Sequence, residues 1–274
     1  MASRLSFTFD LEDHRSGRDR ASRYIGITYQ VLEFLERLSC SGTFFIVATV
    51  AERFPALTRA IAGAGHEVAF HGYDHTPLDE DEPARFRRDT ERGKRLLEDL
   101  IGREVHGYRA PIFSLMKTTT WSVDTLASLG FTYSASVLPA GNRRWGFPGA
   151  PQQPFRWASG LVELPVATTS IAGVDVPFLG GGYFRYLPIS LVLRRLGAAS
   201  VGGLWTYLHP YDCDAGEGLH RVERATALES LILACNRRGT LQKMETLLAG
   251  RVDVPLGRRV LSGEFSMVPR LHSV

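Results

Sequence analysis

The sequence of 274 residues contains 44% hydrophobic and 22% charged residues, a composition that excludes a largely disordered chain. The net charge of +3 is spread without a dense basic run, so we do not expect a nucleic-acid-binding protein. No stretch approaches the ~18 consecutive apolar residues of a membrane span, and the N-terminus lacks the apolar core of a secretion signal. We therefore expect a cytoplasmic globular protein whose three widely spaced cysteines stay reduced.

The first part of the sequence alternates between strand and helix patterns. Apolar and polar side chains alternate over residues 5–10, which predicts a strand whose polar face ends at Asp10. The next predicted elements are helices at 28–39 and 51–63 and strands at 43–47 and 66–70. The last of these strands ends immediately before His71.

The alternation continues beyond this point. A charged helix is predicted over 83–101, and a strand over 105–109 ends at Arg109. The remaining predicted elements are a helix at 119–129, strands at 131–133, 161–166 and 203–208, and a helix at 223–236. Residues 139–160, rich in proline, glycine and arginine, are expected to form a long loop.

The order of these elements favours a single α/β domain. Strands that alternate with helices indicate a parallel sheet covered by helices, either closed as a barrel or open. We expect the main domain to cover residues 1–255. Residues 256–274 show no clear pattern, and we expect them to form a loosely packed C-terminal tail.

Four chemically capable side chains fall at the ends of predicted strands: Asp10, His71, Arg109 and His209. In parallel α/β folds, ligands bind at the carboxyl ends of the strands. Packing alone gives no reason for these four residue types to share that position. We therefore place the candidate site at this edge of the sheet.

A metal site is predicted around His71 and His75. Their spacing of four residues would place both imidazoles on one face of a helical turn. Imidazole suits zinc, and a carboxylate commonly completes three protein ligands. The nearest acidic candidates are Asp10, Glu12 and Asp13. Histidines with surface or N-cap roles, and a solvated acidic loop, are the alternative interpretations.

Asp10 and Glu12 are expected to point to the same side, because side chains alternate along a strand. One carboxylate can then bind a metal while the other accepts a proton from water. This arrangement predicts metal-assisted hydrolysis.

Four ordered motifs support this prediction by resemblance. Their sequences are Thr8-Phe9-Asp10 with the acidic residues after it, His71-Gly72-Tyr73-Asp74-His75, Arg109-Ala110-Pro111 and Leu208-His209-Pro210. Over about residues 4–215 the chain resembles the polysaccharide deacetylases of carbohydrate esterase family four. The segment 178–185 resembles the cytoplasmic, exopolysaccharide-associated subgroup of that family.

The resemblance implies a distorted (β/α)7 barrel, in one deacetylase-like catalytic domain, that removes an N-acetyl group from an amino sugar. The substrate would be a saccharide or a nucleotide- or lipid-linked sugar intermediate. The implied catalytic residues are Asp10 as general base, His209 as general acid and Arg109 as the residue that orients Asp10. His71 and His75 would hold a divalent cation, with zinc expected, and the backbone N–H near Ile112 would bind the oxyanion.

The chain departs from the family pattern at three places. The run after Asp10 leaves the third metal ligand open between Glu12 and Asp13. Ile112 stands where the family usually has tyrosine. The fourth motif is missing, and in its place lies a glycine run followed by Tyr183 and Arg185, for which we predict sugar contacts, with a simple turn as the equal alternative. Asp212 is a candidate substitute for the missing partner of His209.

Two other functions remain open at this level. One is hydrolysis of a cyclic amide or imide, as in the allantoinase-like branch of the same barrel. The other is a catalytically inactive barrel that binds glycans, although the presence of Asp10, His71, His75 and His209 argues against it. The sequence does not determine the oligomeric state.

Overall fold

The computed structural model describes residues 4–14, 23–141, 145–198, 202–219, 222 and 226–271. In order, the strands are β1 (Thr8–Leu11), β2 (Thr43–Ile46), β3 (Glu67–Phe70), β4 (Gly107–Tyr108), β5 (Tyr133–Ser134), β6 (Phe155–Trp157), β7 (Val162–Glu163), β8 (Thr168–Ile171), β9 (Val174–Pro177) and β10 (Arg270–Leu271). The α-helices are α1 (Arg23–Arg37), α2 (Ala48–Arg53), α3 (Pro55–Gly63), α4 (Pro83–Ile101), α5 (Trp121–Ser128), α6 (Gly181–Tyr186), α7 (Ile189–Ala198), α8 (Pro210–Cys213), α9 (Ala227–Ala234), α10 (Thr240–Leu248) and α11 (Leu256–Leu261).

The main sheet has the strand order β1-β2-β3-β4-β5-β7-β6-β10. Neighbours from β1 to β5 and the pair β5–β7 are parallel. Strand β6 runs antiparallel to β7, and β10 runs parallel to β6. This topology confirms the prediction of one α/β domain built on a parallel sheet, with eight strands in this row where the resemblance implies seven.

The sheet continues past β1 through residues 204–208. Bridges join Ser6 to Trp205 and Phe9 to Leu208, both parallel, and a further parallel bridge joins Tyr207 to Gly180. The segment 204–208 therefore delivers its carboxyl end to the same edge as β1. This pairing brings His209 close to Asp10.

Helix α4 shows how local sequence sets an element's bounds. Pro83 lies at its start, where a missing N–H leaves no hydrogen bond unmade, and Gly102 ends it with a φ of 67°. A β-carbon at Gly93 would lie 2.5 Å from the ring of Phe70, so only glycine lets the helix pack this closely on β3. The predicted bounds of 83–101 are confirmed.

Other predicted elements differ in extent. The helix predicted over 51–63 is two helices, because α3 begins at Pro55 and the preceding residue, Phe54, has non-helical φ and ψ of −132° and 61°. The predicted long loop at 139–160 contains β6. The helix predicted over 223–236 is α9, and residues 223–225 of that prediction lie outside the described residues.

The C-terminal segment packs against the sheet as far as Leu271. Leu256 is fully buried at the start of α11, and the Arg259 guanidinium donates to Ser6 Oγ at 3.2 Å. Strand β10 extends the main sheet beside β6. Leu256, Arg259 and strand β10 thus contact the rest of the domain, and residues 272–274 of the predicted tail lie outside the described part. None of the described helices is both long and apolar enough to span a membrane.

Candidate metal centre

Four elements bring the candidate site together at one edge of the sheet. Asp10 lies within β1, His71 follows β3 and Arg109 follows β4. His209 follows the segment 204–208 and precedes α8. The four strand-end residues singled out from the sequence therefore lie together.

The segment 71–75 is a loop, and the prediction of a helical turn is wrong. Gly72 and His75 both have left-handed backbones, with φ of 80° and 63°. The carbonyls of Gly72 and Tyr73 accept hydrogen bonds from Ala48 and Thr49 at the start of α2. The two imidazoles still meet, with ring centroids 5.1 Å apart.

Glu12, His71 and His75 form a cluster of potential metal ligands. One ligand atom from each lies within 4.8 Å of the others. A Glu12 carboxylate oxygen is 3.4 Å from Nε2 of His71 and 2.5 Å from Nε2 of His75. The Nε2 of His75 is buried without hydrogen-bond geometry to any described residue, so this donor atom is available to a cation.

His71 is oriented through its other ring nitrogen. Nδ1 lies 2.9 Å from the carbonyl oxygen of Arg109. Because a carbonyl only accepts, Nδ1 carries the hydrogen and Nε2 keeps the lone pair that a metal needs. Burial would raise the pKa of Glu12, but when the two imidazoles are protonated, the charge of His75 and hydrogen bonding from His71 hold that pKa well below its usual value. The donor set thus fits a divalent cation.

Asp13 does not join this cluster. Its side chain is exposed, whereas Glu12 is buried beside the histidines. Of the two acids left open by the sequence, the structure groups Glu12 with His71 and His75 among the described residues. The prediction of Asp13 as a ligand is therefore not supported by the geometry.

Asp10 is buried and held by Arg109. The guanidinium Nη1 of Arg109 donates to one carboxylate oxygen of Asp10 and also to Thr8 Oγ1, the latter at 2.9 Å. The other oxygen of Asp10 lies 4.0 Å from His71 Nε2 and 3.7 Å from His209 Nε2. One oxygen is thus fixed while the other faces the site.

Arg109 is fully buried among aromatic rings. Its guanidinium carbon lies 3.9 Å from the ring centre of Phe45 and 4.2 Å from that of Trp205. Burial lowers the pKa of Arg109 and the charge of Asp10 opposes this effect. The aromatic faces partly replace water around the cation, and the guanidinium contacts one oxygen of Asp10.

His209 is paired with a buried carboxylate three residues along the chain. Its Nδ1 lies 2.8 Å from Asp212 Oδ2, and its backbone N–H donates to the same oxygen at 3.0 Å. Burial would lower the pKa of His209, but hydrogen bonding to Asp212 and the charges of Glu12, Asp212 and Asp10 raise it to about 9. Asp212 thus lies where a carboxylate partner of His209 would lie. The signal for it in the sequence is the spacing of three residues between His209 and Asp212.

Arg185 does not face a substrate. Its side chain is fully buried, and Nε lies 2.9 Å from Asp212 Oδ1. The prediction that Arg185 contacts sugar is therefore wrong in this structure, because Arg185 lies in the last turn of α6 and its side chain points inward toward α8. Tyr183, on the same helix, is half exposed, and its contact with a sugar stays a prediction.

The glycine run packs against a strand. A β-carbon at Gly180 would lie 2.0 Å from the backbone oxygen of Tyr207, and one at Gly181 would lie 2.8 Å from the Tyr207 ring. Gly181 also has a φ of 55°. These glycines let α6 start beside Tyr207, so close packing explains them.

Ile112 has an unusual backbone. Its φ of 51° and ψ of 24° are left-handed, and Phe113 follows with a φ of 55°. A β-branched residue rarely adopts this region, and such strain concentrates at functional sites. The motif around Arg109 thus ends in a strained turn at the edge of the candidate site.

Two family models match consecutive parts of the chain. Residues 3–134 match the polysaccharide deacetylase family, and residues 135–253 match a domain of unknown function, DUF3473. Asp10, the ligand cluster and Arg109 lie in the first match. His209 and Asp212 lie in the second, so the site is assembled from both.

Known proteins resemble parts of this chain. A peptidoglycan deacetylase-like protein of Gibberella zeae is 31% identical over 110 residues, covering 39% of this chain and 32% of that protein. A peptidoglycan-N-acetylglucosamine deacetylase of Bacillus cereus is 28% identical over 138 residues, covering 45% and 48% of the two chains. The chain thus spans about a third to a half of the length of these curated relatives.

A solved structure matches almost the whole fold. A Mycobacterium smegmatis protein assigned to the polysaccharide deacetylases superposes with a TM-score of 0.64 and 22% identity, covering 98% of this chain and 93% of that one. At this identity the likeness concerns the fold.

Proposed function

We propose that this chain, whose residues 3–134 belong to the polysaccharide deacetylase family, is a metal-dependent hydrolase that removes the acetyl group from the nitrogen of an amino sugar. The observation that carries the proposal is the ligand cluster of Glu12, His71 and His75. Asp10 and His209 lie beside it, 3.7 Å apart, where a base and an acid can reach one substrate.

The proposed cofactor is a divalent cation, with zinc favoured by the donor types. Two imidazoles and one carboxylate are a common set of protein ligands in catalytic zinc sites. When bound, the cation would act as a Lewis acid toward the carbonyl of the acetamide. The residues around it would transfer the protons and bind the oxyanion.

Asp10 is the proposed general base. Arg109 binds one carboxylate oxygen, and the other is left to accept a proton from the attacking water. A water deprotonated there adds to the acetamide carbon and forms a tetrahedral species. A positioned base of this kind contributes on the order of 10²–10⁴-fold in rate.

His209 is the proposed general acid. Its Nδ1–H donates to the Asp212 carboxylate, so a second proton on Nε2 points toward the site. As the C–N bond breaks, Nε2 gives this proton to the departing nitrogen, leaving a free amine and acetate. Asp10 then releases to solvent the proton that it took from water, and His209 takes up a proton from solvent, so both residues return to their starting states.

The strained turn at Ile112 is the proposed oxyanion site. Its backbone N–H would donate to the oxygen of the tetrahedral species, as in other acyl-transfer enzymes. A fixed turn stabilises developing charge because its dipole needs no reorganisation during the reaction. The left-handed φ of 51° supports this assignment because the surrounding fold must hold it in place.

The proposed substrate class, an N-acetylated amino sugar, follows from the family, and the proposal includes several forms of that sugar. A saccharide, a nucleotide-linked sugar and a lipid-linked sugar all present the same acetamide. The cytoplasmic location expected from the sequence remains a prediction that cell fractionation would test.

Acetate release tests the proposal directly. The purified protein would be stripped with a chelator and then reloaded with Zn²⁺, Co²⁺ or Mn²⁺. It would be incubated with N-acetylglucosamine oligomers and with nucleotide- and lipid-linked N-acetyl sugars. We expect metal-dependent acetate from at least one class, and none from a His71→Ala control.

Two other results would overturn the proposal. Turnover of a cyclic amide without acetate from any N-acetyl sugar would indicate the allantoinase-like reaction. Glycan binding without turnover of either substrate type in the metal-loaded protein would indicate an inactive binding domain.

A further inference from the structure

We propose that Arg185 is a positioning residue for His209 and acts by holding the carboxylate of Asp212. The inference rests on the proposed role of His209 as general acid. It concerns residues in the segment that matches a domain of unknown function. The contacts run in one line from Arg185 through Asp212 to the imidazole.

The two oxygens of Asp212 face different charged groups, Oδ1 in an ion pair without hydrogen-bond geometry and Oδ2 in a hydrogen bond. Oδ1 lies 2.9 Å from Nε of Arg185, and Oδ2 lies 2.8 Å from Nδ1 of His209. The side chains of Asp212 and Arg185 are both fully buried. Water therefore has no access to replace the guanidinium if it is removed, and the carboxylate would lose the cation that fixes its orientation.

The end of helix α9 fixes the guanidinium on its other side. Nη1 of Arg185 donates to the carbonyl of Leu233 at 3.1 Å and to that of Cys235 at 2.5 Å. Carbonyls at a helix C-terminus lack helical partners and favour a cation. One guanidinium thus joins the end of α9 to the carboxylate beside His209.

The backbone of Arg185 is also held. Its carbonyl accepts a hydrogen bond from Asn236 Nδ2 at 2.5 Å. Lys243 of α10 donates to the carbonyls of Phe184 and Leu187 on either side of it. These bonds hold the end of α6 from the connection after α9 and from α10.

A rigid partner matters because an acid must present its proton along one direction. Without Arg185, Asp212 would be a buried carboxylate held through Oδ2 by the imidazole and the backbone N–H of His209, and the orientation of its other oxygen would be less tightly fixed. Residues that orient a functional side chain without touching the substrate typically contribute 10–100-fold in activity. The expected defect is therefore in turnover, with substrate binding retained.

The test compares Arg185→Met and Arg185→Lys with Arg194→Met, an exposed arginine on α7. For Arg185→Met we expect kcat to fall on the order of 10–100-fold with KM little changed, and for Arg185→Lys a smaller fall, since lysine keeps the charge but not the forked geometry. Arg194→Met should behave as the wild type. In an Asp212→Asn background, Arg185→Met should add little, because both changes break the same line of contacts.

A measurement without catalysis separates this inference from the proposed function. In the wild type, the Nδ1–H of His209 should give a downfield proton NMR signal that exchanges slowly with water. Arg185→Met should broaden or remove that signal, whether or not any substrate is turned over. If the wild type releases no acetate but the His209 signal changes as expected in Arg185→Met, the proposed function is overturned and the inference about Arg185 stands.

Specific results would overturn the inference. An unchanged His209 signal in Arg185→Met would do so, and so would a full additional loss of kcat in the double variant. If Arg185→Met does not fold, Arg185→Lys decides, and wild-type kcat together with an unchanged signal in that variant would overturn the inference.

Discussion

His71 is oriented by the backbone of Arg109, whose carbonyl oxygen lies 2.9 Å from its Nδ1. The side chain of the same arginine binds the Asp10 carboxylate. One residue at the end of β4 thus sets both a candidate ligand and the candidate base. A displacement of Arg109 would therefore be expected to disturb the ligand and the base together.

The ligand set can be tested by metal affinity. Glu12→Gln and His71→Ala each remove a donor, and we expect each to weaken zinc binding by more than about 100-fold, beyond the 10–100-fold typical of outer residues. Asp13→Asn is the matched control and should bind zinc like the wild type. Competition with a chromophoric chelator measures the affinity. A strong loss in Asp13→Asn with none in Glu12→Gln would reverse the assignment.

Asp10→Asn separates proton transfer from metal binding. The amide keeps the shape of the carboxylate but is no base, so we expect kcat to fall about 10²–10⁴-fold. Metal content, measured by elemental analysis, should stay stoichiometric. Turnover near that of the wild type would show that another group accepts the proton.

Alkaline loss of activity should report on His209. The raised pKa of about 9 keeps the imidazole protonated at neutral pH. An acid works only while protonated, so kcat/KM should fall as pH rises through this value, or through a lower one when a cation is bound nearby. Asp212→Asn removes the charge that raises the pKa, and the alkaline limb should move to lower pH. Asp124→Asn, exposed on α5, should leave the profile in place.

The C-terminal segment should contribute to stability. Leu256 is fully buried, and Leu256→Ala should lower the free energy of unfolding by about 2–5 kcal/mol. Leu261, on the same helix, is 58% exposed, and Leu261→Ala should change the free energy of unfolding by less than about 0.5 kcal/mol. Urea denaturation would compare the two. Equal stability of both variants would mean that α11 adds little to the folded state.

The sequence predicted the first half of the fold and most of the site because the signals there are local. Periodicity and bounding glycines or prolines predicted the elements up to α4, except that α2 and α3 were predicted as one helix. Parallel pairing of neighbouring strands then makes it inevitable that Asp10, His71 and Arg109 meet at one edge.

Other features depend on contacts that no local pattern contains. Side chains alternate between the two faces only within a strand, and β1 ends at Leu11. The sequence pattern therefore does not decide which of the acidic residues after Leu11 is the third ligand. Arg185 has the polarity of a surface residue, and its burial follows from carbonyls near the end of α9, about 50 residues away in sequence. The turn after His71 is set by hydrogen bonds from α2, which come from an earlier part of the chain.

Those hydrogen bonds, from Ala48 and Thr49 to the carbonyls of Gly72 and Tyr73, have a consequence for metal uptake. They order the histidine loop as part of folding, before any ion arrives. The entropy cost of fixing the loop then belongs to the folding equilibrium and not to the binding equilibrium. The affinity for different cations should consequently reflect their coordination chemistry, with little contribution from loop closure.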